Sequence, residues 1–180
     1  SGLIQVADSD EAKGDIAQSQ VAPNDLLDKA EQEEDVFMPE DEEYGTDYWE
    51  EVFSNQDPWD YSNRYEQTKY NQTIALLPER KFKRALELAC AEGHFTQMLA
   101  AQVDNLVATD ISKTALERAQ EACAEHSNIT YQQLDLKNGQ IPGQFDLIVC
   151  SEVLYYFESR KSLAKIARKL AMHLAPGGMI

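Results

Sequence analysis

The 180-residue chain has little cysteine, and what it has is not arranged for bridging or for metal. Cys90, Cys123 and Cys150 are three, an odd number, and no two stand at CxxC spacing. That argues against a disulfide scaffold and a thiolate zinc site, and for a reducing, cytoplasmic compartment. Long apolar runs are also missing: none reaches the ~18–20 residues that a membrane span needs. No signal-peptide pattern stands at the start. Cationic stripes are missing too, so no nucleic-acid footprint is expected. The one basic cluster, Arg80, Lys81, Lys83 and Arg84, reads as a solvated turn, with a phosphate contact as the lesser alternative.

What the chain has in excess is acid, and it is unevenly placed. Residues 1–45 hold 14 acidic and 2 basic side chains, a net of −12, whereas residues 46–180 hold 18 and 14, a net of −4. The first segment has few aromatics and no helical or strand period. It cannot bury enough apolar surface to offset its chain entropy, so we read 1–45 as an acidic disordered tail or linker. As a linker it implies a further domain ahead of it. The body, 46–180, is an ordinary mildly acidic domain.

From Tyr44 aromatics crowd the sequence, with Tyr48, Trp49, Phe53, Trp59, Tyr61, Tyr65 and Tyr70 following. Asp47 to Phe53 reads as a short helix, and Asp57-Pro58-Trp59 as a turn. Ser62 to Leu77 predicts an amphipathic helix, capped by Ser62 or Asn63, with Tyr65, Tyr70, Ile74 and Leu77 near one face; Pro78 ends it. Strands and helices then alternate. Strands are expected at 85–89, 106–109, 129–134 and 145–150. Helices are expected at 95–102, at 112–126 capped by Ser112, and at 159–174 capped by Ser159. The last presents Leu163, Ile166, Ala167, Leu170 and Leu174 to the core. Pro176-Gly177-Gly178 closes it, and Met179-Ile180 opens a fifth strand. This alternation predicts a doubly wound α/β fold with a parallel sheet and right-handed crossovers.

In such sheets ligands bind at the carboxyl ends of the central strands, where strand order reverses. The first strand leads into Glu87-Leu-Ala-Cys-Ala-Glu-Gly93-His-Phe-Thr96, a tight turn that needs small residues so that backbone can approach a ligand. Ala89, Ala91 and Gly93 supply them. Asp110 ends the second strand, where a carboxylate can accept both hydroxyls of a ribose; alone, it could be a helix-start acid. Asp135 follows the third strand and could instead be a turn residue before Asn138-Gly139. Ser151-Glu152-Val-Leu-Tyr-Tyr-Phe157 follows the fourth. Together, in this order and spacing, these residues point to a cofactor site.

The constellation resembles the class I S-adenosylmethionine-dependent methyltransferases over about Tyr48 to Ile180. Asp57-Pro-Trp59, Tyr61, Tyr65-Glu66, Lys69-Tyr70, Thr73, Leu76-Leu77-Pro78 and Arg84-Ala-Leu-Glu87 are similar to the nodulation methyltransferase S family. Members in rhizobia methylate the amino group of a deacetylated chitooligosaccharide. The resemblance implies a Rossmann-like methyltransferase fold with a helical cap at 46–78 and a cofactor-binding core at 84–180. It implies S-adenosyl-L-methionine as cofactor, and a small-molecule acceptor such as an amino sugar or oligosaccharide. By the same resemblance, Glu87, Ala89, Ala91 and Gly93 would wrap the methionine part, Asp110 would hold the ribose and Ile111 would pack on the adenine. Asp135, beside Leu136, would accept from the adenine amino group. Ser151 to Tyr156 would line the transfer site. Arg64, Tyr65 and Lys69 would be partners for the cofactor carboxylate.

The chain departs from that family in two ways. The family turn usually has glycine where Ala89 stands, and many methyltransferases have another near Ala91; methyl groups there crowd the cofactor and disfavour positive φ. The usual fold also continues past the fifth strand, so a sheet stopping at Ile180 would expose an edge for further chain or a second copy to cover. For chemistry, a neutral amine needs only to lose a proton, whereas a hydroxyl needs a base. Glu152 and Tyr156 are the candidate catalytic residues. His94 reads as a helix start before a base, and Glu92 as a helix-start acid. Cys90 and Cys150 read as small buried hydrophobes before nucleophiles. The rival reading is a non-catalytic methyltransferase-like scaffold; a nicotinamide enzyme is disfavoured because G-x-G-x-x-G is missing.

Overall fold

The computed structural model describes residues 44–157 and 159–180. The expected acidic tail lies outside them, apart from Tyr44 and Gly45. Five strands form one sheet: β1 Ala85–Leu88, β2 Leu106–Asp110, β3 Ile129–Gln133, β4 Phe145–Cys150 and β5 Leu174–Met179, in the order β3-β2-β1-β4-β5. Every pairing is parallel. The helices are α1 Thr46–Val52, α2 Arg64–Ala75, α3 His94–Ala100, α4 Lys113–Ala122 and α5 Arg160–Met172, with a single 3-10 turn at Leu154–Tyr156. None is long and apolar enough to cross a membrane among the described residues.

The helix starts follow from side-chain oxygens that accept otherwise unpaired first-turn amides. Asn63 accepts from Glu66, Ser112 from Ala115 and Ser159 from Ser162. Ser62 instead turns back onto Asp60. The central strands β1 and β2 are buried at every position, as strands covered on both faces must be. On one face, Leu86, Leu88, Val107 and Ile148 pack with Ile166 and Leu170 of α5. On the other, Leu106, Leu147 and Val149 pack with Phe95 and Leu99 of α3, and Tyr70, Ile74 and Leu77 close over that cluster. Fully burying one such Leu or Ile contributes about 1.5–3 kcal/mol. Helices thus cover both faces, the doubly wound arrangement that the alternation predicts.

Three local expectations are corrected. Tyr65 does not join the buried face of α2; it is exposed, because the helix turns its neighbours Glu66, Lys69 and Tyr70 inward. In α5 Ala164 is buried and Ala167 exposed, so the stripe runs 164, 166 and 170. Leu174 belongs to β5 and not to α5, which ends at Met172. Pro176-Gly177-Gly178 lies inside that strand: Leu174 pairs with Phe145 and Met179 with Leu147, and the residues between bulge out, with Gly177 at φ +74°. The basic cluster is structural. Arg80 and Arg84 lie over the rings of Phe82 and Phe145, and Lys81 pairs with Asp104.

Candidate functional site

Strand order reverses between β1, which leads right to β2, and β4 on its other side. A cavity of about 410 Å³ opens there, at the carboxyl ends of β1, β2 and β4. It is lined by the turn after β1 (Glu87, Leu88, Ala89, Cys90, Ala91), by Asp110 and Ile111 after β2, and by Leu134 to Asn138 after β3. Ser151, Glu152, Val153 and Tyr155 to Phe157 line it from the segment after β4.

The turn after β1 is strained. Ala89 and Ala91 have φ of +54° and +49°, in the left-handed region that a Cβ disfavours. Gly93, at φ +86°, serves packing and does not line the cavity. A Cβ on it would stand 2.9 Å from the Ala119 Cα of α4. Asp110 holds the turn in place: Oδ2 accepts from the Ala91 amide at 2.9 Å, and Oδ1 from the Ser112 amide at 2.9 Å. Burial raises the Asp110 carboxyl to about 6 against those bonds. Glu87 is buried as well, with Oε2 lacking any partner, and burial, with Asp110 nearby, raises it to about 8. The Tyr61 hydroxyl is buried without a partner too, whereas the Thr96 hydroxyl lies beside Glu87 and opposes its rise. Orphaned buried acceptors cost about 1–3 kcal/mol each, so they mark places where a ligand is expected to bond.

Asp135 serves the local turn and the cavity together. Its carboxylate accepts from the Lys137 amide and the Asn138 side chain, both at 2.8 Å, and the residue lines the cavity beside Leu136. Glu152 has φ +57°; its Oε2 accepts from the Tyr155 hydroxyl at 3.3 Å and lies 3.6 Å from the Lys69 ammonium. Lys69 also pairs with Glu66 at 2.8 Å. Of the residues expected from α2, Lys69 reaches the cavity, whereas Arg64 and Tyr65 do not and are exposed. His94 lines the cavity and stacks on Tyr61 with centroids 4.6 Å apart. Cys90 and Cys150 are held as thiols by burial, Cys150 at about 11, which suits neither for nucleophilic work. Among the described residues no group of metal-ligating side chains is present.

Residue-by-residue reading placed Tyr156, and through the resemblance Tyr61, at the site but missed the rest of the aromatic wall. Tyr44, Trp49, Phe53, Trp59 and Tyr61 all line the cavity from the cap. Tyr156 closes the wall, edge-on to Trp49 at 4.8 Å and to Tyr44 at 5.7 Å. The signal for it was the density of aromatics between Tyr44 and Tyr70. Also unforeseen were the anchors of the cap. Glu50 of α1 accepts from the Lys113 and Thr114 amides and the Ser112 hydroxyl, at the amino end of α4. Glu92, read as a helix-start acid, accepts from the Asp57 amide at 3.0 Å and pairs with Arg118.

A family model described as Nodulation protein S (NodS) matches residues 42–180. The chain belongs to this family. Two relatives agree with that assignment: Nodulation protein S of Sinorhizobium fredii is 34% identical over 125 residues, 68% of this chain and 58% of the relative. Nodulation protein S of Bradyrhizobium diazoefficiens is 34% identical over 122 residues, 67% of this chain and 58% of the relative. The chain therefore spans about 58% of the length of these curated relatives. Among solved structures, N-methyltransferase NodS from Bradyrhizobium japonicum WM9 in complex with S-adenosyl-L-homocysteine superposes with a TM-score of 0.69 at 32% identity, covering 75% of this chain and 70% of that one. The NodS fold is thus shared over 75% of this chain.

Proposed function

We propose that this chain carries the cofactor-binding part of an S-adenosyl-L-methionine-dependent methyltransferase. The observation that carries the reading is the pair Glu87 and Asp110, two buried carboxylates beside each other at the switch point of a parallel sheet, one of them with an unsatisfied oxygen. A buried carboxylate with an unsatisfied oxygen suits a ligand that brings positive charge, and the cofactor carries both a sulfonium and an ammonium. Asp110 retains acceptor capacity on both oxygens for ribose hydroxyls. Ile111 and Leu136 offer apolar contact to a base, and Asp135 an acceptor at its edge. Glu87, Ala89 and Ala91 would face the methionine part, with Lys69 set for its carboxylate.

When bound, the cofactor supplies an electrophilic methyl group on sulfur. This chain's share of the work is to hold and align, to exclude water and to take a proton. Tyr156 and the cap aromatics wall the cavity off. The Glu152 carboxylate, oriented by the Tyr155 hydroxyl and Lys69, is our choice for accepting the proton that an acceptor amine or hydroxyl must lose. We favour an amine. Two carboxylates, Glu66 and Glu152, flank Lys69 in the cavity lining and outnumber it, which would draw in an ammonium group. The similar solved protein is named an N-methyltransferase. A sugar-type acceptor is consistent with the aromatic wall, since rings stack on the apolar face of a pyranose.

The second reading, a scaffold without catalysis, is supported by one feature only: the alanines at positive φ in the cofactor turn. Calorimetric titration with S-adenosyl-L-homocysteine separates the two. Saturable one-site binding supports the enzyme reading. No heat at millimolar ligand with a folded protein would leave the scaffold.

A further inference from the structure

The two anchors of the cap land on the two loops that face the cavity from β1 and β2. Glu92 belongs to the turn between Ala89 and Gly93, yet it does not line the cavity. Its side chain, 5% exposed, points the other way, to the Asp57 amide of the cap and to Arg118 of α4. Arg118 Nη1 also donates to the Asn55 carbonyl at 3.0 Å, so one guanidinium bridges the cap and the turn. Asp57 in turn accepts from the Tyr61 amide at 2.7 Å, and Tyr61 presents its unpartnered hydroxyl to the cavity. Glu50 repeats the device on the second loop, bonding the residues that directly follow Asp110 and Ile111.

Resting on the cofactor reading above, we infer that Arg118 and Glu92 form a positioning pair that makes cap docking and cofactor binding one equilibrium. Arg118 touches neither the cavity nor anything bound in it. It acts through Glu92 on the turn, and through Asn55 and Asp57 on the aromatic wall. A ligand that orders the turn favours the docked cap, and a docked cap favours the ligand by the same factor. Couplings of this kind change affinity by roughly 5- to 150-fold.

Both tryptophans of the chain, Trp49 and Trp59, lie in the cap, so intrinsic fluorescence reports its docking directly. The test compares the wild-type chain with Arg118→Met, Arg118→Lys and the double variant Glu92→Gln/Arg118→Met. The double variant leaves no buried charge unpaired and stands in if Arg118→Met fails to fold. Arg118→Met, or the double variant, is expected to red-shift tryptophan emission without ligand and to weaken S-adenosyl-L-homocysteine binding at least fivefold. Saturating ligand should return part of the blue shift, and Arg118→Lys should recover part of both losses. A folded variant with wild-type emission and wild-type affinity overturns the coupling while the proposed function stands. A red-shifted variant with unchanged affinity overturns it too, because the cap would then be docked independently of the site. A wild-type chain that binds no ligand overturns the proposed function and the coupling with it.

Discussion

The Asp110 carboxylate accepts the Ala91 amide at 2.9 Å, so the end of β2 holds the turn after β1 in shape before any ligand arrives. Its other oxygen accepts the Ser112 amide, which ties the start of α4 to the same point. Removing this side chain therefore affects both the apo fold and the ligand. Asp110→Ala is expected to lower stability by about 1–3 kcal/mol, the cost of leaving buried amides unpaired. It should weaken S-adenosyl-L-homocysteine binding by about 1.5–3 kcal/mol, the range for a hydrogen bond to a charged group. Thermal melts and calorimetry measure the two losses separately; affinity unchanged in a folded variant would remove Asp110 from the ribose site.

Glycine at 89 or 91 should help this protein. The left-handed conformation costs an L-residue about 1–2 kcal/mol, and the flexibility of glycine in the unfolded chain takes back up to ~1 kcal/mol. Ala89→Gly and Ala91→Gly are each expected to raise the melting temperature slightly and to tighten cofactor binding by clearing a methyl from its approach. A lower melting temperature in both would show that the methyl contacts outweigh the strain.

Stability should fall as pH rises across the neutral range. Glu87 and Asp110 bind their protons more tightly in the fold than in the unfolded chain, where their ordinary values are 4.5 and 3.8. Between those values and about 8 for Glu87 and about 6 for Asp110, the folded state holds more protons, so a rise in pH favours unfolding. Their contribution is complete below the ordinary values and is lost above pH 8 or so. Glu87→Gln is expected to flatten the upper part of this slope and to stabilise the ligand-free protein at pH 8. The same variant should bind the cationic cofactor less tightly. Proton release on binding at pH 7, read as a heat that varies with buffer ionisation, checks the sign.

Glu152→Gln tests the choice of proton acceptor. It keeps the size of the side chain and an acceptor for the Tyr155 hydroxyl, but removes the charge 3.6 Å from Lys69. With an amine acceptor, turnover is expected to fall by roughly 100- to 10,000-fold while S-adenosyl-L-homocysteine affinity stays within about twofold. A variant with full turnover would point away from Glu152 and towards solvent as the base.

The caps at Asn63, Ser112 and Ser159 were legible because each depends on a side chain and an amide three residues away. Asp110 was legible because a strand end fixes its position without knowledge of the rest. Placing Tyr65 on the buried face and Ala167 in the α5 stripe went wrong for a different reason: one residue is 100° of helix, and only packing sets the phase. Glu50 with Lys113 and Glu92 with Arg118 are joined across 63 and 26 residues, and no local pattern encodes such pairs. The bulge in β5 was hidden by Pro176 and the two glycines, which read as a break although the sheet edge absorbs them.

The crowding at Gly93 sets how the cofactor turn can drift through evolution. A methyl there would meet the Ala119 backbone at 2.9 Å and force α3 and α4 apart. Alanine can hold the left-handed conformation at 89 and 91 at a cost of about 1–2 kcal/mol each, less up to ~1 kcal/mol that glycine would lose in the unfolded chain, but the third small position has no such freedom. A search that recognises the turn by its full set of glycines will therefore pass over chains of this kind. One that weighs position 93 and the carboxylate seventeen residues on, at Asp110, will find them.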